Sequence, residues 1–155
     1  MGLSAKEVVG TGEMLQLAAS LAPRLEARDF VGLRGELGAG KTTFARGVIR
    51  ALGGGEDVPS PTFTLVQVYD TRSAPVWHFD LYRLAHPEDV YELGFEEARA
   101  EAIALVEWPE RLGPLLPGDR IDVLIDYTND PKKRRVALEG RGTAVRRIPS
   151  EGDVR

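Results

Sequence analysis

The chain has 155 residues, 43% hydrophobic and 28% charged, with no cysteine and two histidines. That length sets a prior of one globular domain, and the balance is that of an ordinary globular protein rather than a disordered one. Disulfide frameworks, thiolate metal sites and cysteine nucleophiles are excluded, and no apolar run reaches the length of a membrane span. The net charge of -4 divides unevenly: residues 1–130 carry 12 basic and 21 acidic side chains, residues 131–155 carry 8 basic and 3 acidic. The N-terminus holds Lys6 and Glu7 without an apolar stretch, so it does not read as a signal peptide. A cytoplasmic protein without membrane contact is expected.

In chain order, Glu7-Val8-Val9 predicts a short edge strand. A helix is expected over Gly12–Ala27, with Met14, Leu17, Ala18, Leu21 and Leu25 on one face and Thr11 as its N-cap. Phe30–Leu33 reads as a buried strand, Gly35–Gly40 as a glycine-rich turn, and Lys41–Leu52 as a second helix stopped by Gly53-Gly54-Gly55. Pro59-Ser60-Pro61 forces a loop. Thr64–Tyr69 and Val76–Phe79 predict an antiparallel hairpin across the turn residues 70–75. A helical stretch over Pro87–Ala102 with a break at Gly94, a strand at Ile103–Val106, a short helix after Pro109 and a strand at Ile121–Ile125 follow. Val136–Leu138 and Val145–Ile148 read as weaker strands. The sum is an α/β chain, expected to form a three-layer α/β/α fold with a mixed sheet, its antiparallel strands gathered toward the C-terminus. Residues 1–148 are expected to form one domain and 149–155 a frayed tail. The basic segment from residue 131 reads as solvated surface outside the nucleotide site, with electrostatic docking to a partner protein or to nucleic acid as the alternative.

Gly35-Glu36-Leu37-Gly38-Ala39-Gly40-Lys41-Thr42 matches G-x-x-x-x-G-K-[ST] and lies between a predicted strand and a predicted helix, the setting the motif requires. Glycines let backbone N–H groups turn toward a polyphosphate, and the helix start adds its own amides and dipole. Lys41 brings a compact positive charge to the phosphates. Thr42 offers a hydroxyl to Mg²⁺. The guanine-reading order N-K-x-D is missing from Asn129-Asp130-Pro131-Lys132, which favours ATP. Phosphoryl transfer also needs a carboxylate at the end of a neighbouring strand. Asp80, after Val76–Phe79, and Glu107, after Ile103–Val106, both fit. Ser60, Thr62 and Thr64 suit a switch loop that senses the γ-phosphate. Trp108 reads either as a core aromatic or as a cover over the nucleotide, and His78 as a packed strand histidine. These residues alone leave three readings open: a switch ATPase, a small-molecule kinase with a lid drawn from Arg72, Arg83, Arg99 or Arg111, and a nucleotide-gated binding module with negligible turnover.

Four segments taken together resemble one family: the loop at 35–43, Ser-Pro-Thr-Phe-Thr-Leu-Val at 60–66, His-Phe-Asp-Leu-Tyr-Arg-Leu at 78–84 and Val-Glu-Trp-Pro-Glu-Arg-Leu at 106–112. Over about residues 7–127 the chain is similar to the TsaE family of bacterial P-loop ATPases. The resemblance implies ATP and Mg²⁺ as ligands and work with the TsaB–TsaD pair. That pair transfers a threonylcarbamoyl group to the adenosine beside the anticodon of tRNAs reading A-starting codons, while TsaE's ATP cycle resets it. By position the resemblance puts Gly35, Gly38, Ala39, Gly40, Lys41, Thr42 and Thr43 around the phosphates. It assigns Thr42 and Glu107 to Mg²⁺, Asp80 to the metal or its water, Trp108 to the nucleotide site and Thr11 to its base end. Contact with tRNA would come through the transferase complex.

Overall fold

A computed structural model of the chain describes residues 2–54 and 65–149. Its strands are β1 Leu3–Val9, β2 Phe30–Arg34, β3 Val66–Tyr69, β4 Val76–Asp80, β5 Ile103–Glu107, β6 Arg120–Tyr127 and β7 Lys133–Arg141. The helices are α1 Gly10–Leu21, α2 Lys41–Ala51 and α3 Phe95–Glu101, with 3₁₀ turns at Ala22–Arg24, Pro87–Leu93, Pro109–Leu115 and Gly142–Arg147. The strands form one sheet in the order β1-β7-β6-β2-β5-β4-β3. Its centre, β6-β2-β5-β4, is parallel, and β7, β1 and β3 join antiparallel.

Alternation along the central strands creates two cores. Val31 and Leu33 of β2 and Ile103 and Leu105 of β5 face α1 and α2. Phe30, Ala104, Val106 and Phe79 face the opposite layer, with Phe95, Ala98 and Leu112. This is the sandwiched sheet that an α/β pattern predicts, and its central strands read as continuous apolar runs because both faces are covered. α2 lies close against α1 because position 47 is glycine: a Cβ there would sit 2.6 Å from the Ala18 Cβ.

Several boundaries differ from expectation. α1 starts at Gly10 and ends at Leu21, not Ala27. Pro23 has no N–H to return to Ala19, so the chain tightens into the 3₁₀ turn at Ala22–Arg24. Thr11 is therefore not the N-cap. It is the second residue of the helix; Val9 takes the extended cap position, and its N–H donates to Glu13 Oε1 at 2.8 Å. Val145–Ile148 is not a strand, because Gly142 (φ 63°) turns the chain out of β7 and the Thr143 N–H is held by Asp119. The helical break at Gly94 is present, with φ 85°.

The largest correction concerns the basic segment. β7 is an internal strand between β1 and β6, with Val136 and Leu138 buried. Arg141 belongs to a cluster about the buried Asp122, which accepts bonds from Arg120 (3.0 and 3.1 Å), Arg141 (3.1 Å) and Arg34 (3.4 Å). That cluster ties β2, β6 and β7 together. Residues 150–155, most of the tail expected to fray, lie outside the described residues. No helix among the described residues is long and apolar enough to cross a membrane.

Candidate functional site

β2, β5 and β4 are parallel neighbours, so their C-terminal ends open on one edge of the sheet. β2 runs into the glycine-rich loop and α2. β5 ends in Glu107 and β4 in Asp80, paired in register. An apolar strand terminated by an acid thus places each carboxylate beside the loop. Lys41, Thr42, Thr43, Gly38, Gly40, Asp80, Glu107 and Trp108 line one cavity of about 420 Å³, together with Leu65, Tyr82 and Arg83.

Within it, the Lys41 ammonium donates to the carbonyls of Gly35 (2.6 Å) and Glu36 (2.9 Å) and lies 4.1 Å from the centre of the Trp108 ring. Burial draws its pKa down from the ordinary lysine value, against the opposing pull of Glu107, Asp80 and Glu110. Gly40 holds φ 124°, and a Cβ there would meet the Met14 methyl at 3.0 Å, so only glycine turns the chain into α2 at that point. The Thr42 hydroxyl donates to Glu107, 3.0 Å from Oε1 and 2.9 Å from Oε2. Asp80 Oδ1 accepts the Tyr82 N–H at 3.1 Å. Burial raises the Asp80 pKa above the usual aspartate value; the Tyr82 N–H opposes this, and the neighbouring Glu107 charge reinforces it.

Trp108 stands at φ 61°, ψ 51°, a left-handed conformation rare for a bulky side chain. Strain of this kind, on the order of 1–3 kcal/mol, collects where a side chain must be aimed. Here it turns the indole over Lys41 and against Tyr82, whose ring centre is 4.9 Å away.

Thr11 and Ala39 do not reach this cavity. They line a smaller pocket of about 200 Å³ on the other side of the loop, which shares Gly38, Gly40 and Thr43 and is completed by Met14, Lys132 and Arg134. Gly35 contributes its carbonyl to Lys41. Ser60, Thr62 and Thr64 lie outside the described residues. Among the arginines considered for a lid, Arg72 donates to the Ala51 carbonyl and Arg99 to that of Arg28. Arg83 is on the cavity wall and Arg111 lies over the Tyr82 ring.

Four residues at the loop escaped the sequence reading in whole or in part. Tyr82 follows Asp80 in the same post-strand turn, a signal that was available. Arg134 and Lys132 were visible as charge but placed away from the site. Arg134 Nε donates to the Ala39 carbonyl at 3.2 Å, and its guanidinium lies 4.4 Å from the Tyr127 ring centre. The Tyr127 hydroxyl in turn donates to the Leu37 carbonyl at 2.5 Å. The β6–β7 hairpin therefore braces the loop from one side, and the segment from residue 131 is not clear of the glycine-rich loop.

Comparison with known proteins gives consistent relatives. The family model described as Threonylcarbamoyl adenosine biosynthesis protein TsaE matches residues 9–136. The chain is 43% identical over 122 residues to the tRNA threonylcarbamoyladenosine biosynthesis protein TsaE of Rickettsia felis, covering 78% of this chain and 71% of that one. It is 33% identical over 126 residues to the protein of the same name from Bacillus subtilis, covering 81% and 78%. Among solved structures, the crystal structure of YdiB from Bacillus subtilis superposes with a TM-score of 0.76 at 26% identity, covering 93% of this chain and 89% of that one.

Proposed function

We propose that this chain, which belongs to the TsaE family, is an Mg²⁺-dependent ATPase switch that serves tRNA threonylcarbamoyladenosine biosynthesis by acting on the TsaB–TsaD transferase complex. The observation that carries the reading is the meeting of Lys41, Thr42, Asp80 and Glu107 in one cavity at the end of β2. ATP is preferred to GTP because the guanine-reading motif is missing.

The residues fit the metal. Among the described residues no cage of three or more His, Cys, Asp and Glu side chains gathers for a cation. Mg²⁺ rarely needs one, since it is held by one or two protein oxygens, water and the substrate's phosphates. The Thr42 hydroxyl and the Glu107 carboxylate are such oxygens, already in contact. When bound, Mg²⁺ neutralises phosphate charge and helps to align the phosphates.

The protein's own groups do the rest. The loop amides and the start of α2 receive the anion. Lys41 is held by two loop carbonyls, and although burial lowers its pKa the facing carboxylates oppose that shift, so the ammonium is already aimed into the cavity where a phosphate would arrive. Asp80, fixed by the Tyr82 N–H, orients the attacking water. Trp108 and Tyr82 wall the entrance and limit access of bulk water. The smaller pocket with Thr11, Lys132 and Arg134 takes the base end of the nucleotide. Turnover by the chain alone is expected to be slow and to depend on its partners. Any contact with tRNA arises through the complex.

The test is ATP hydrolysis with and without Mg²⁺, and with and without TsaB–TsaD and tRNA. Mg²⁺-dependent turnover that the complex stimulates supports the reading. Phosphoryl transfer to a small acceptor instead of water, or no turnover under any condition, would overturn it.

A further inference from the structure

We infer that His78 is a positioning residue of the nucleotide site, its Nε2–H fixing the rotation of the Glu107 carboxylate so that Oε1, which it does not touch, is the oxygen offered to the metal. The inference rests on the function proposed above. His78 lies in β4, opposite Leu105 in register, and Glu107 is two residues further along β5, so both side chains emerge on the α2 face of the sheet. His78 is fully buried, and its Nε2 is 2.7 Å from Glu107 Oε2. An ionised carboxylate only accepts, so Nε2 carries the proton and donates. The second ring nitrogen, Nδ1, is buried with no partner among the described residues.

That unpaired nitrogen is the argument against mere packing. A buried imidazole with one ring nitrogen unmet is a poor core residue. A leucine would bury more apolar surface and leave nothing unsatisfied. What the histidine supplies is one aimed bond. Thr42 cannot supply it: its single hydroxyl lies almost equally far from both Glu107 oxygens and so does not choose between two rotations of the carboxylate. His78 touches Oε2 alone. Oε1 is then the oxygen without a second donor. Partners that orient metal-binding side chains in this way typically change metal affinity 10–100-fold when removed.

The test compares His78→Gln with His78→Asn. A glutamine amide nitrogen reaches the place of Nε2; an asparagine amide reaches only that of Nδ1. Both are uncharged and polar, and thermal stability reads the packing difference that the extra methylene of glutamine makes at this buried position. ATP affinity is measured by titration calorimetry in Mg²⁺ and in EDTA, Mn²⁺ binding to the nucleotide complex by electron paramagnetic resonance, and thermal stability alongside. The expected result is about a ten-fold loss of metal affinity in the asparagine variant, recovery to within about three-fold in the glutamine variant, and unchanged ATP affinity in EDTA for both. Equal losses in the two variants, parent-like metal affinity in the asparagine variant, or a matching loss of ATP affinity in EDTA would overturn the inference. If the unmodified protein binds ATP no more tightly in Mg²⁺ than in EDTA, the proposed function falls, and the role of His78 falls with it.

Discussion

Replacing Arg134 with alanine tests whether the β6–β7 hairpin holds the phosphate loop in its binding shape. Arg134 gives the loop a charge-assisted bond to the Ala39 carbonyl and stacks on Tyr127, which bonds Leu37. A bond from a charged donor contributes about 1.5–3 kcal/mol, and partial burial places this one at the lower end. The cation–π contact adds about 0.5–1 kcal/mol. About 2 kcal/mol of loop bracing is thus at stake. Part of it is recovered when the ligand itself orders the loop. If roughly two-thirds is lost from binding, at 1.4 kcal/mol per decade, ATP affinity falls about ten-fold. Calorimetric titration of ATP against Arg134→Ala measures this directly. The control is the double change Lys133→Ser with Arg135→Ser. It removes two charges from the same strand, but neither residue lines the two pockets beside the loop, so affinity should stay within two-fold. An Arg134→Ala protein that binds ATP as tightly as the parent, or a double variant that loses as much, would refute the bracing argument and return the basic segment to the role of a generic charged surface.

Lys41→Ala should abolish hydrolysis and weaken ATP binding by at least ten-fold while circular dichroism stays native, because the ammonium serves the loop and not the apolar core. Glu107→Gln should raise the Mg²⁺ concentration needed for half-maximal turnover, whereas Asp80→Asn should lower turnover with that requirement unchanged; steady-state kinetics across Mg²⁺ concentrations separates the two. Asp80→Asn should also stabilise the ligand-free protein at neutral pH. Burial raises the Asp80 pKa on folding, so its charged form opposes the fold above that value, and the penalty vanishes once pH falls below the ordinary aspartate range. Thermal melts at pH 7 and pH 3.5 should show the variant's advantage only at the higher pH.

The parts of the site legible in the sequence are those that one strand end determines. The glycine loop follows β2, and each acid closes an apolar strand, so local pattern alone placed Asp80 and Glu107 beside Lys41. His78 was legible as a buried strand residue but not as Glu107's partner, because that pairing depends on the parallel register of β4 and β5, which no local pattern displays. β7 was under-read for a different reason. Lys132-Lys133-Arg134-Arg135 masks the alternation that Val136 and Leu138 continue, and four charges in a row look like solvent-facing chain. α1 was over-read because Met14 to Leu25 keeps helical spacing beyond Pro23, where covalent chemistry rather than periodicity ends the helix.

The position of the basic cluster follows from topology once the strand order is known. β6 runs parallel to β2, so Tyr127 finishes at the same edge as the phosphate loop. β7 returns antiparallel, so its first residues, Lys133 and Arg134, must begin at that edge. β1 pairs antiparallel with β7, Val9 opposite Lys133, so the start of α1 is delivered to the same place, and the Gly10 N–H donates to the Lys132 carbonyl at 2.9 Å. Three segments far apart in sequence, around residues 10, 38 and 132, therefore enclose one pocket with no long-range signal in any of them. The charge that a linear reading assigns to solvated surface is carried to the glycine-rich loop's edge of the sheet by one hairpin. Shortening the chain within β7 would leave β1 without the strand it pairs with, expose β6 as a new edge and remove one wall of that pocket, whereas a truncation after Pro149 leaves every one of these contacts in place.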